Sequence, residues 1–121
     1  MSLSRCPFPN YMAQNYFKNL AADATLNVKP AAGIVFSASC YNTNAASRFL
    51  QLHDTATTPS AAAVPKVSIL VPTGSQVIVG TDFFSNEGVG FTNGIAFAFS
   101  TTAATYTAGS AGDQQTTVTF S

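Results

Sequence analysis

The chain has 121 residues, of which only 8% are charged, five basic and five acidic, so its formal net charge is zero. That length suits one domain with its own core and no help from metal or disulfide. Proteins average about a quarter charged residues, and here Arg5, Lys18, Lys29, Arg48 and Lys66 are all separated in sequence, which argues against nucleic-acid binding because phosphate neutralisation needs clustered cations.

No apolar run approaches the roughly 18 residues of a membrane span. The opening "MSLSRCPFPNYMAQ" has no basic region followed by a continuous apolar segment, so the expectation is a chain made in a cytoplasm without a secretory signal. Cys6 and Cys40 are far apart, and in such a compartment two free thiols are the expectation rather than a disulfide. The uncharged surface must consist of Ser, Thr, Asn, Gln, Gly and Ala. Such a palette suits β-rich structural proteins covered by partners, and equally suits carbohydrate-binding and fibre proteins.

Residues 1–22 differ from the rest. Phe8, Tyr11, Tyr16 and Phe17 fall in a stretch whose Pro7 and Pro9 forbid a continuous helix or a central strand. Met12, Tyr16 and Leu20 share one stripe of a short helix between Asn10 and Ala22. The expectation is an arm, extended or briefly helical, followed by a β domain over 23–121. Two roles stand open for its aromatics: folding back over their own sheet, or gripping a neighbouring subunit.

From Ala24 onward the pattern is strand-like. "TLNVK" alternates Leu26 and Val28. "GIVFSASCYNT" sets Ile34, Phe36, Ala38 and Cys40 on one face, against Val35, Ser37, Ser39 and Tyr41. "SRFLQLHD" groups Leu50 with Leu52, opposite Phe49, Gln51 and His53. "KVSILVP" groups Val67, Ile69 and Val71, and "SQVIVGT" adds Val77 and Val79. "NGIAFAFST" aligns Ile95, Phe97 and Phe99 on one face but places only Ala96 and Ala98 on the other. A short strand is expected around Tyr106, and "QTTVTF" closes the chain with Val118 and Phe120.

Turn chemistry separates these runs: "NTNAA", the long "TATTPSAAAVP", the Pro-Gly turn at Pro72–Ser75, "SNEG", "TNG" and "TAGSAGD". About eight short strands with turns every 8–12 residues predict a single-domain, all-β antiparallel sandwich or jelly roll. The alanine face of "NGIAFAFST" needs a cover, either the N-terminal arm or another chain.

Chemistry-bearing residues are few. His53 is the sole histidine and Asp54 follows it, but consecutive strand residues point to opposite faces, so the two are badly placed to act together. A His53 hydrolase is therefore the weakest of three readings. Asp82, Asn86 and Glu87 offer oxygen ligands in one loop without EF-hand spacing, which reads as a solvated turn before a calcium site. No phosphate-binding glycine loop occurs. No catalytic residue, metal or cofactor is assigned. Phe83 and Phe84 cannot both face one core if extended, so one of the two is expected to be exposed or to lie at an interface.

The successions "YNTNAASRFLQLHDTATTP" (Tyr41–Pro59), "VPKVSILVPTGSQVIV" (Val64–Val79) and "GVGFTNGIAFAFSTTAATYTAGSAGDQQTTVTF" (Gly88–Phe120) resemble small structural proteins of tailed bacteriophages, in particular head decoration or cement proteins. The resemblance spans roughly Ala32 to the end; the first 22 residues match no pattern of that group. It implies a non-enzymatic β-sandwich on the capsid exterior of a virion, bound to the major capsid protein as a homo-oligomer, a trimer before a dimer, with no nucleic acid and no membrane. Phe8, Tyr11, Tyr16, Phe17, Phe83 and Phe84 are the expected partner contacts. The alternative is a carbohydrate- or receptor-binding module of a phage fibre or tail.

Overall fold

The computed structural model describes residues 15–20 (as backbone), 25–109 and 114–121. In chain order the elements are β1 (Asn15–Leu20), β2 (Thr25–Lys29), β3 (Gly33–Asn42), β4 (Arg48–His53), β5 (Val67–Val71), β6 (Gln76–Val79), α1 (Thr81–Phe84), β7 (Val89–Phe91), β8 (Ile95–Ser100) and β9 (Gln114–Phe120). They form two antiparallel sheets. One has the order β1-β9-β3-β6, with β7 also on β3; the other has the order β2-β8-β4-β5. The pairs are nested: β4 with β5, β3 with β6 and β7, β2 with β8, β1 with β9. A chain that pairs this way is one long double strand rolled into two sheets, which is a jelly roll.

The interior follows from alternation. Leu50, Leu52, Ile95, Phe97 and Phe99 from the four-stranded sheet meet Val35, Ala38, Cys40, Val118 and Phe120 from the five-stranded sheet. Phe84 and Phe91 close the same cluster. One buried polar group crosses between the layers. Asn42, at the end of β3, donates from Nδ2 to the carbonyls of Ala46 and Val71, each at 3.0 Å, and accepts from the Asn44 N–H at 2.8 Å. Val71 lies in the opposite sheet, so this asparagine both builds the "NTNAA" turn and staples the two sheets together.

Three sequence expectations change. Of the two forms expected for the arm, residues 15–20 take the extended one and not the helical stripe: β1 pairs with β9 from Gln115↔Leu20 to Phe120↔Asn15. The sheet therefore takes in the end of the expected arm, and its first strand lies before the 22/23 boundary. A β9 edge supplies a ready row of hydrogen bonds, and this tertiary pairing overrides a weak helical stripe. In β3 the inward face changes phase. Phe120 pairs with Val35 but Thr119 with Ser37, so Phe36 is an extra residue in a bulge. Val35 consequently points inward together with Ala38 and Cys40, instead of Ile34 and Phe36.

The third change concerns Tyr106. Residues 101–109 after β8 are irregular, with the bridge Ser100↔Ala108 tying them to the sheet. They fold over the outer face of the four-stranded sheet. Ala96, Ala98 and Ser100 are completely buried on that face. The alanine face is thus covered by loops of its own chain, at 59–63 and 101–108, where an arm or a second chain was expected.

Two stability measurements test this architecture. Phe97→Ala, in the fully buried centre, is expected to cost about 3–5 kcal/mol in denaturant unfolding. Ala98→Leu, on the outer face, is expected to cost about 1–3 kcal/mol through overpacking beneath the loop; a neutral effect means that this face is open to solvent.

Candidate functional site

The described polar chemistry gathers at the end of β4. Gln51, His53 and Asp54 leave the strand beside the loops 54–66 and 101–108, and each has a definable job.

Gln51 is fully buried. Its Nε2 donates to the carbonyls of Thr102, Ala103 and Thr105 at 2.8, 3.1 and 3.1 Å. An amide nitrogen has two protons, so one is shared between two carbonyls. The loop is built around this side chain. Ser100 adds a second peg: its hydroxyl donates to the Thr102 carbonyl at 2.8 Å and accepts from the Thr107 N–H at 3.0 Å.

That arrangement determines the state of His53. With Nε2 of Gln51 facing three carbonyls, its Oε1 faces His53 Nε2 at 3.0 Å. A carbonyl oxygen has no proton, so His53 Nε2 donates and the neutral ring keeps its lone pair on Nδ1. The Tyr106 ring packs edge-on to the imidazole at 6.3 Å. Tyr106 in turn joins the loops: its N–H donates to the Ala63 carbonyl at 2.8 Å, and its carbonyl accepts from the Ala62 N–H at 2.9 Å. Burial holds the His53 imidazole below its ordinary value of 6.5 and raises the Tyr106 phenol.

Asp54 points elsewhere. Its Oδ1 accepts from the N–H groups of Asn93 (2.8 Å) and Gly94 (3.3 Å), and its Oδ2 from the N–H and hydroxyl of Thr92 (3.2 and 3.1 Å). The Asn93 N–H does most to hold this carboxyl below the ordinary range; partial burial opposes it, and the Thr92 and Gly94 donors assist. Asp54 therefore clamps the β7–β8 turn to the end of β4. The same junction explains Gly94, where a Cβ would collide with the Thr55 carbonyl. His53 and Asp54 do not cooperate, as their opposite faces on the strand predicted. A serine–histidine–carboxylate relay has a carboxylate on the imidazole N–H; here that N–H donates to the Gln51 amide oxygen.

Cys40 is a buried free thiol. Burial pushes it up to about 11, against a smaller opposing effect of the Thr116 hydroxyl, so it is unreactive at neutral pH. Cys6 lies outside the described residues. Among the described residues no three of His, Cys, Asp and Glu come together as metal ligands, and no helix is long and apolar enough to cross a membrane.

The expected contact residues separate. Phe8 and Tyr11 lie outside the described residues. Tyr16 and Phe17 fall on β1, opposite Thr119 and Val118. Phe83 and Phe84 sit in a helical turn rather than a strand, which sends them in different directions: Phe83 is 55% exposed, while Phe84 is 3% exposed and belongs to the core. Phe84 therefore packs in the core, its ring edge-on to Phe83 at 5.1 Å.

A broader surface emerges from β3 and β6, unmarked as a site in the sequence. Their outward residues are Ile34, Ser37, Ser39 and Tyr41 with Gln76 and Ile78, continued on β9 by Gln115, Thr117 and Thr119. Ile78 is 72% exposed and pairs with Ser39, diagonal to Tyr41. None of these side chains is charged. No family model, curated protein or solved structure matches the chain.

Two pH-dependent outcomes follow. The folded Asp54 carboxyl titrates below its unfolded value near 3.8, so its contribution is complete above that pH and fades as pH falls through the folded value. Asp54→Asn should therefore lower Tm at pH 7, and the gap to wild type should close in strong acid. The folded His53 titrates below 6.5, so the unfolded chain protonates first and stability falls as pH drops from 6.5 toward the folded value. Thermal melts between pH 7 and 5 should show this decline in wild type and lack it in His53→Gln; identical slopes would contradict the neutral, buried imidazole.

Proposed function

We propose that this protein is a non-enzymatic structural protein of a phage virion, a capsid decoration protein that binds the outer surface of the head as a homo-oligomer and stabilises it. The observation that carries this reading is the outer surface formed by β3, β6 and β9, where exposed Ile78 and Tyr41 stand among uncharged hydroxyl and amide side chains. Large permanent interfaces are more apolar than transient ones and spare of charge. The opposite sheet covers its own outer face with loops.

Three further points support it. Asp54 holds the β7–β8 turn, His53 Nε2 is bound to Gln51, and Cys40 is packed in the core. The jelly roll is an architecture of capsid proteins, though equally of lectins and cupins, so it supports by analogy alone. The sequence resemblance described above points the same way. Attachment through many copies multiplies a modest contact into a stable coat, and every bound copy stabilises the shell it binds.

The experiment is reconstitution. Expanded heads lacking the protein are mixed with purified chain, and both occupancy and heat stability of the shells are measured. Saturable binding and a raised disruption temperature are expected; no binding, with bare heads as stable as complete ones, overturns the proposal. Ile78→Lys removes an exposed apolar contact and places a charge in the interface, so it should weaken attachment about tenfold or more while leaving the melting temperature of the free protein unchanged.

A further inference from the structure

Where β4 runs into the loop to β5 there is a pocket of about 170 Å³, lined by His53, Asp54, Thr58, Pro59, Ser60 and Val64 among others. We infer that this pocket is a binding site for a neutral, polyhydroxylated ring of the size of one monosaccharide unit, with His53 Nδ1 as the acceptor at its wall. This inference is independent of the virion proposal and concerns a different surface.

The chemistry of the lining selects the ligand. His53 lines the pocket, and its Nε2 proton is committed to Gln51, so the atom the ring has left to offer is the Nδ1 lone pair. It accepts a hydroxyl proton and rejects another acceptor. The Asp54 carboxylate repels anions, yet its two oxygens already accept four hydrogen bonds from Thr92, Asn93 and Gly94, which uses its lone-pair positions. It therefore gives an ammonium or a metal ion little to bind. The hydroxyls of Thr55 and Thr57 are engaged with each other and with the Thr58 carbonyl. Those of Thr58 and Ser60 make no hydrogen bond to a described residue, and each can both donate and accept. Pro59 and Val64 supply an apolar wall. Alternating hydroxyls and C–H faces on one neutral ring match this set.

Size narrows the class further. Sites that bury drug-sized ligands run from about 300 to 1,000 Å³, so this pocket takes a single ring, such as the terminal unit of a longer glycan, rather than an extended chain. Its rigidity comes from both sides: the Ala62–Tyr106 and Tyr106–Ala63 backbone hydrogen bonds fix one loop, and the Asp54 clamp fixes the strand end. A preformed small site loses little to ordering when it binds.

The test is a titration of the full-length, ¹⁵N-labelled protein with glucose, galactose, mannose and N-acetylglucosamine, each to about 50 mM, because one ring in a small site binds in the millimolar range. At least one sugar is expected to shift the amides of Thr57–Val64 saturably. It should also lower the apparent pKa of His53, followed through its imidazole protons, because a hydroxyl donated to Nδ1 stabilises the neutral ring. The titratable neighbours are Asp54, turned to the β7–β8 turn, and Tyr106, edge-on to the ring; neither changes charge in the window where His53 titrates. Thr58 and Ser60 are exposed, so the double variant Thr58→Val/Ser60→Ala keeps its fold, seen as unchanged shifts elsewhere, and is expected to bind at least fivefold more weakly. The inference is overturned if all four sugars leave these amides and His53 unmoved, if inorganic phosphate shifts them as strongly as a sugar, or if the double variant binds as well as wild type.

Discussion

The molecule depends on the burial of both faces of β8. Its six residues, Ile95–Ser100, are all buried, although only Ile95, Phe97 and Phe99 face the sandwich interior. A strand of this kind usually belongs to a parallel sheet sheathed by helices. In an antiparallel jelly roll the outer cover has to come from loops, and loops carry backbone polar groups that resist burial. Gln51 resolves that conflict. It stands beside Ala98 in the ladder and brings two amide protons to three loop carbonyls, of Thr102, Ala103 and Thr105, the first and third of which also accept from the Ser100 and Thr102 hydroxyls. His53 orients the amide from the far side, and Tyr106 ties the second loop to the first. The small side chains of Ala96 and Ala98 are what allow the cover to lie close.

This closure makes the two outer surfaces unequal. The four-stranded sheet is sealed by its own connections, while the five-stranded sheet presents hydroxyls, amides and a few apolar side chains directly. The edge on the β6 side is broken by α1, whose helical turn at Thr81–Phe84 separates β6 from β7. Interrupting an edge in this way discourages strand-to-strand aggregation and sends Phe84 inward to cap the core as Phe83 turns out. A surface almost without charge gains little from electrostatic steering, and a partner held through it is held by fit and area. That is consistent with the proposed role on a repetitive shell, where many weak contacts act together.

Much of this was legible in the sequence for simple reasons. Period-two patterns in "FLQLH", "VSILV" and "AFAF" give strand type and inward face correctly because alternation is local. "NTNAA" and "PTGS" are turns because Asn side chains and a glycine with positive φ, here Gly74 at 65°, make turns on their own. The bulge at Phe36 was not legible, since an extra residue is visible only against its partner strand. The helical turn at Phe83–Phe84 is too short to carry a period. The Gln51 and Asp54 clamps join residues about 40–55 positions apart through backbone groups, which every residue has and no composition reveals. His53 and Asp54 drew notice together as neighbours, but their partners lie in two different loops. The exposure of Ile78 and Tyr41 follows from strand phase, a property of register.

The central claim is that the outer face of β8 is sealed by loops of its own chain, held by the Gln51–His53–Tyr106 seam. Amide hydrogen exchange of the free monomeric protein at Ala62 and Tyr106 tests it most directly, because these two N–H groups are hydrogen-bonded only across the loop-to-loop junction. The account predicts strong protection at both positions, lost together in Gln51→Glu, where a buried carboxylate faces three carbonyls. Exchange at unprotected rates in the wild-type protein, with Ala96 and Ala98 amides still slow, would contradict it and return the cover of the alanine face to another chain.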